Sequence, residues 1–131
     1  LGGDGFADPT FITLAGDAAA TNVYYVSGYS AKALATDTTT KFIAAYQAKY
    51  KSEPSMFDAL SYDAVYMVKQ AVEDTKAKTS VDVKDGLAKL KNFKGATGEI
   101  TVDKHHNPVK EAVVIKLENG KEASATLVKP D

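Results

Sequence analysis

Ala59-Leu60-Ser61-Tyr62-Asp63-Ala64-Val65 lies inside the longest helix-periodic run of the chain, Met56 to Asp74. Leu60, Ala64, Met67, Val68, Ala71 and Val72 recur three and four residues apart, which puts them on one face of a helix. Tyr62, Val65 and Tyr66 widen that face so far that burial on more than one side is expected, with both tyrosines in the core. Upstream, Phe42, Ile43, Tyr46 and Tyr50 keep the same period behind Thr38, Thr39 and Thr40, any of which would cap a helix over about 38–51. Pro54 and Ser55 separate the two helices. Downstream, Ser80 is the expected N-cap of a shorter helix over about 81–92, which turns Val83, Leu87 and Leu90 inward and stops at Gly95.

On either side of the helices the period changes. The first thirty residues alternate glycine and small residues with two apolar runs, Phe11 to Leu14 and Val23 to Val26, and read as strand, short turn or helix, strand. After the third helix, Ile100 and Val102 alternate with polar neighbours and Asn107-Pro108 marks a turn. Ala112 to Leu117 then pairs with Lys121 to Leu127 across Glu118-Asn119-Gly120-Lys121, because Asn-Gly supplies the positive φ that a two-residue hairpin needs. The order is two strands, three helices, a strand and a C-terminal hairpin: an α/β chain. Thr36 to Thr40 is a polar connector suited to a hinge or a crossing.

With 131 residues and 13.9 kDa the chain is long enough for one core. It begins at Leu1, and the expectation is a piece of a longer polypeptide. No apolar run approaches the roughly 20 residues of a membrane-spanning helix. The formal charge of −1 offers no field to attract nucleic acid, and all sixteen basic residues are lysine, so no guanidinium fork exists for phosphate or guanine. Without cysteine, thiol catalysis, thiolate metal sites and disulfides are excluded.

Gly2-Gly3-Asp4-Gly5 sets one carboxylate among glycines at the end of a strand, where open α/β sheets bind small molecules. Two readings fit Asp4: it meets a primary ammonium, or it closes an Asx-turn with its neighbours. The spacing lacks the third glycine of a dinucleotide fingerprint. Phe57, in the first turn after Pro54, is placed to project into a cleft that Tyr24, Tyr25 and Tyr29 would also line. His105 and His106 are adjacent and point opposite ways on extended backbone, so an exposed turn is expected rather than a metal site. Ser27, Ser30, Ser55 and Ser61 lack a nucleophile elbow. Asp58 with Asp63, or Glu73 with Asp74, would be acid–base pairs, but each falls where a solvated helix face is expected. Nothing in the residues argues for catalysis, and no cofactor is expected.

Lys41-Phe42-Ile43 through Tyr46, Tyr50 and Glu53-Pro54, the Ala59–Val65 stretch, Val81 to Leu90, Phe93-Lys94-Gly95 and Gly98-Glu99-Ile100-Thr101-Val102-Asp103 together resemble the C-terminal part of the branched-chain amino-acid-binding proteins. These are type I periplasmic binding proteins, the extracytoplasmic receptors of ABC importers. His105-His106-Asn107-Pro108 stands where the family pattern continues with a Gly-Asp turn. The resemblance implies two Rossmann-like lobes crossed three times by the chain, with residues 1–26 in the second lobe, 27–107 in the first and 108–131 returning to the second. It implies that Asp4, with Gly3 and Gly5 beside it, holds the ammonium of an amino acid, and that Phe57 lines the aliphatic part of the pocket from the opposite lobe. It also implies delivery to a membrane permease and a lipid-anchored parent at the periplasm or cell surface. A ligand-sensing domain of a signalling receptor is the alternative use of this fold. A fragment of two lobes, with open strand edges, is expected either to pair with another copy as a homodimer by element exchange or to fold into a rearranged single unit.

Overall fold

Asp8 accepts a hydrogen bond from the Thr10 N–H at 2.7 Å, and Pro9 occupies the first helical position, so Pro9–Ala15 forms a helix, α1. In this computed structural model, which describes residues 1–130, the strand expected at Phe11 to Leu14 is therefore absent. The apolar run looked like a strand, but the Asp-Pro start outweighs it, and Gly16 at φ 79° closes the helix through its N–H on the Ile12 carbonyl. Phe11 stacks on Phe6 with ring centroids 4.3 Å apart.

Val23–Ser27 forms β1 as expected, and the hairpin forms from Ala112–Glu118 (β5) and Lys121–Val128 (β6). Asn119 and Gly120 both have positive φ, 49° and 68°, and Glu118 pairs with Lys121. β1 runs antiparallel to β5, from Val23 opposite Leu117 to Ser27 opposite Val113, giving a sheet in the order β1-β5-β6. Tyr25, Val113, Ile115 and Leu117 turn to one face and bury a cluster with Ala20, against which Phe11 and Ile12 of α1 pack.

Three further helices follow. Asp37–Tyr50 (α2) is capped by Thr36, whose hydroxyl accepts from the Thr39 N–H at 3.1 Å, and not by Thr38, Thr39 or Thr40. Thr39 is instead buried, donating to the Ala96 carbonyl. Met56–Thr75 (α3) starts with a reciprocal capping box between Ser55 and Asp58. Ser80–Ala88 (α4) is capped by Thr79 together with Asp82, one residue before the expected Ser80. α4 ends well before Gly95, because the Val102 N–H donates to the Leu90 carbonyl and draws the chain into extended structure. A Cβ on Gly86 would stand 2.8 Å from the Ala71 carbonyl oxygen, so glycine is what lets α4 approach α3.

Phe93–Gly95 (β2), Gly98–Val102 (β3) and Pro108–Val109 (β4) form a second antiparallel sheet in that order. Two cores lie between it and the helices. Tyr29, Leu34, Phe42, Met56, Ala59 and Ala96 make one; Ala71, Leu90, Phe93, Ile100 and Val102 make the other. The breadth of apolar surface on α3 is only partly covered: Val65 is 67% exposed, Tyr66 43% and Val68 43%. Tyr66 thus lies at the surface, contrary to its expected place in the core, its ring centroid 4.4 Å from that of the half-buried Tyr62 at a tilt of 33°, and Tyr62 in turn meets Phe42.

Candidate functional site

Leu1 to Gly3 lies alongside β1, with the Gly2 N–H donating to the Tyr24 carbonyl at 2.7 Å and a parallel bridge between Gly2 and Tyr25. Asp4 therefore emerges at the end of an extended segment, as the first residue of a 3₁₀ turn over Asp4–Ala7. No side-chain bond caps that turn, and Gly3, Asp4 and Gly5 are all exposed. A Cβ at Gly3 or Gly5 would meet nothing within 4 Å, and neither residue has a positive φ. Neither crowding nor backbone conformation inside the chain calls for glycine at these two positions. What the loop offers is accessible backbone around one free carboxylate.

Phe57 is the second residue of α3 and is 46% exposed. Its neighbour Met56 points the other way, into the core, and its sulfur accepts from the Gly28 N–H at 3.1 Å. The Lys110 ammonium donates to the Gly28 carbonyl at 2.6 Å, tying the segment after β1 to the one before β5. Burial holds the Lys110 amine below its ordinary pKa, against the pull of Asp63 and Glu111.

Between β1, the start of α3 and the C-terminal hairpin runs an open groove of about 560 Å³. Tyr25, Ile115, Met56 and Pro54 give it apolar walls, and Tyr29, Ser30, Lys32, Glu53 and Glu122 its polar surface. Ala7 and Pro9 continue the Asp4 turn into one wall, while Ser55 and Met56 bring the start of α3 to another. Tyr25 and Tyr29 line it as expected of them; Tyr24 lies on the outer face under the Lys116 ammonium. Asp4 and Phe57 are not among the lining residues, and each stands one to three residues from one that is.

The other carboxylates have structural employment. Asp63 is 1% exposed, not solvated, and accepts from the Ala96 N–H at 2.6 Å, the Thr97 N–H at 2.8 Å and the Thr97 hydroxyl at 2.6 Å. It holds the β2–β3 turn on α3, a role that leaves no trace in local spacing because its partners lie more than thirty residues away. Asp58 caps α3, and its Ser55 bonds keep its pKa below the usual carboxylate value although burial opposes them. Glu73 pairs with Lys69 on the surface. His105 and His106 sit in an exposed turn organised by Asp103, which accepts from the His105 and Asn107 N–H groups. Ser27 bonds the Tyr29 carbonyl, Ser30 bonds Glu122 and Ser55 caps a helix, so none of these is free as a nucleophile.

A sequence profile described as periplasmic binding protein matches residues 1–122. A comparison with curated proteins returned no match. Among solved structures, the chain is similar to the branched-chain amino acid transporter substrate-binding protein LivJ of Streptococcus pneumoniae, determined in complex with isoleucine: 43% identity over 98% of this chain and 36% of that one, TM-score 0.90. It is similar to the leucine-binding protein LivK of Thermotoga maritima at 30% identity, over 98% of this chain and 37% of that one, TM-score 0.86. A putative branched-chain amino acid ABC transporter protein of Rhodospirillum rubrum follows at 25% identity over 97% of this chain and 36% of that one, TM-score 0.69. The chain spans about a third of the length of these structures.

Proposed function

The chain belongs to the periplasmic binding protein family, a family of solute binders and not of enzymes, and from that premise we propose that it is part of a receptor for a branched-chain or similar amino acid. The receptor holds its ligand between two lobes outside the cytoplasm, in a parent tethered by lipid, and hands it to an ABC permease. The observation that carries this reading is the 43% identity, across nearly the whole chain, to a protein solved with isoleucine bound.

In this reading residues 1–26 and 108–131 belong to one lobe and 27–107 to the other. The pairing of β1 with β5, whose other edge carries β6, supports grouping the first and last segments. Asp4 accepts from the ligand ammonium, the open backbone at Gly3 and Gly5 allows close approach, and Phe57 supplies an apolar wall for the aliphatic side chain. An exposed carboxylate and an exposed aromatic ring gain most of their binding strength when lobe closure removes water from between them. No bond of the ligand is made or broken.

The acceptor of an ammonium is one half of the recognition of an amino acid; donors for its carboxylate are the other half. Titration calorimetry of the full-length protein with leucine, isoleucine, valine and alanine tests the reading. Saturable binding of at least one branched-chain ligand is expected, and the absence of binding to all four contradicts it. The 131-residue chain alone should bind none with sub-micromolar affinity, and a monodisperse monomer in sedimentation would count against element exchange.

A further inference from the structure

Tyr29 is 5% exposed, lines the groove beside the hairpin, and its buried hydroxyl has no hydrogen-bond partner among the described residues. A buried polar atom without a partner is costly, so it marks a place where a group outside the described residues completes the bonding. The surroundings say what. Glu53 enters the groove from the connection before α3 and Glu122 from β6. One oxygen of Glu53 accepts from the Gln47 amide at 2.5 Å and one oxygen of Glu122 from the Ser30 hydroxyl at 2.7 Å, which leaves each carboxylate a second oxygen. The Lys32 ammonium, also in the groove, is engaged by the Glu122 main-chain carbonyl at 2.5 Å. Burial, helped by Glu53 and Glu122, pushes the Tyr29 phenol up to about 12, so it keeps its proton and can accept as well as donate.

We propose that this groove is a second ligand site, separate from Asp4 and Phe57, that takes a short-chain primary alkylammonium: its three N–H donors meet the Tyr29 hydroxyl and the free oxygens of Glu53 and Glu122, and its alkyl body lies against Tyr25, Met56 and Ile115. Two carboxylates repel an anion. A metal ion would want a third ligand, and no group of three such side chains exists among the described residues. The walls are apolar, which suits a ligand with a charged head and a hydrocarbon tail.

The test is calorimetric titration of the full-length protein with butylamine hydrochloride, with butanol and sodium butyrate as controls. Saturable binding of butylammonium, at least tenfold weaker for butanol and absent for butyrate, is expected. Tyr29→Phe keeps the edge-on ring contact with Phe42, 6.4 Å between centroids, and so preserves the fold while weakening butylammonium by about threefold to tenfold. Glu122→Gln should weaken it by about tenfold or more. Asp4→Ala should leave butylammonium binding in place while removing branched-chain amino acid binding. No saturable binding, equal binding of butanol, or indifference to both Tyr29→Phe and Glu122→Gln overturns the proposal. Loss of butylammonium binding in Asp4→Ala overturns it too, by assigning the amine to the Asp4 loop. Failure of the amino acid titration alone leaves these outcomes readable.

Discussion

Asp63 beneath Gly95 and Asp4 between Gly3 and Gly5 are two meetings of a carboxylate with glycine, one buried and bonded and the other exposed and open. A Cβ on Gly95 would stand 2.5 Å from an Asp63 oxygen, whereas one on Gly3 or Gly5 would touch nothing. Asp63 is buried with three donors around it; Asp4 is exposed in a turn with no side-chain cap. The first carboxylate commits three hydrogen bonds to holding a helix against a sheet turn. The second stands exposed and caps nothing, and the proposed function gives its capacity to a ligand ammonium. A carboxylate's value to folding and its accessibility thus run opposite ways in this chain, and glycine permits close packing in one case and leaves open space in the other.

The contrast is sharpest under substitution. Asp63→Ala leaves two buried N–H groups and a buried hydroxyl without an acceptor, and at about 1–3 kcal/mol for each it should cost at least about 3 kcal/mol, read as a lowered urea midpoint. A loss under about 1 kcal/mol would show that the turn finds other partners and would break the comparison. Next in size is an alkaline effect. The Tyr29 phenol, with an ordinary value of 10.0, is raised to about 12 in the folded chain, so its contribution to stability is complete below pH 10 and disappears as pH rises through about 12. Tyr62 is raised to about 12 as well, with the same sign. Urea midpoints measured across that range should fall less steeply in Tyr29→Phe than in the unsubstituted protein. The smallest effect belongs to the Asp4 loop: Gly3→Ala has open space and an ordinary φ of −82°, so the urea midpoint should move by no more than about 0.5 kcal/mol equivalent.

The sequence made plain those parts of the fold that are written locally. Asn119-Gly120 between alternating runs predicts the observed hairpin, and the period of Leu60, Ala64, Met67 and Ala71 predicts α3, because turn chemistry and helical repeat act over a few residues. Helix α1 was legible too, in Asp8-Pro9, but the apolar run after it has the length of a strand. The role of Asp63 was not legible. A carboxylate on a polar step of a helix reads as solvated, and only the return of Ala96 and Thr97 over it makes it buried. The groove is assembled the same way, from Tyr29, Glu53 and Glu122 in three separate segments, and no spacing rule joins them. Asp4 and Phe57 stood out for the opposite reason: a charge among glycines and an aromatic ring at a helix start are local anomalies.

The account rests on Asp4 holding the ammonium of a bound amino acid, and the most direct test is the affinity of full-length Asp4→Asn for isoleucine by titration calorimetry. The substitution keeps size and removes charge, in a loop where the fold makes no demand on it. The account predicts binding weaker by at least about 30-fold with an unchanged urea midpoint. Isoleucine binding as tight as in the unsubstituted protein would contradict it.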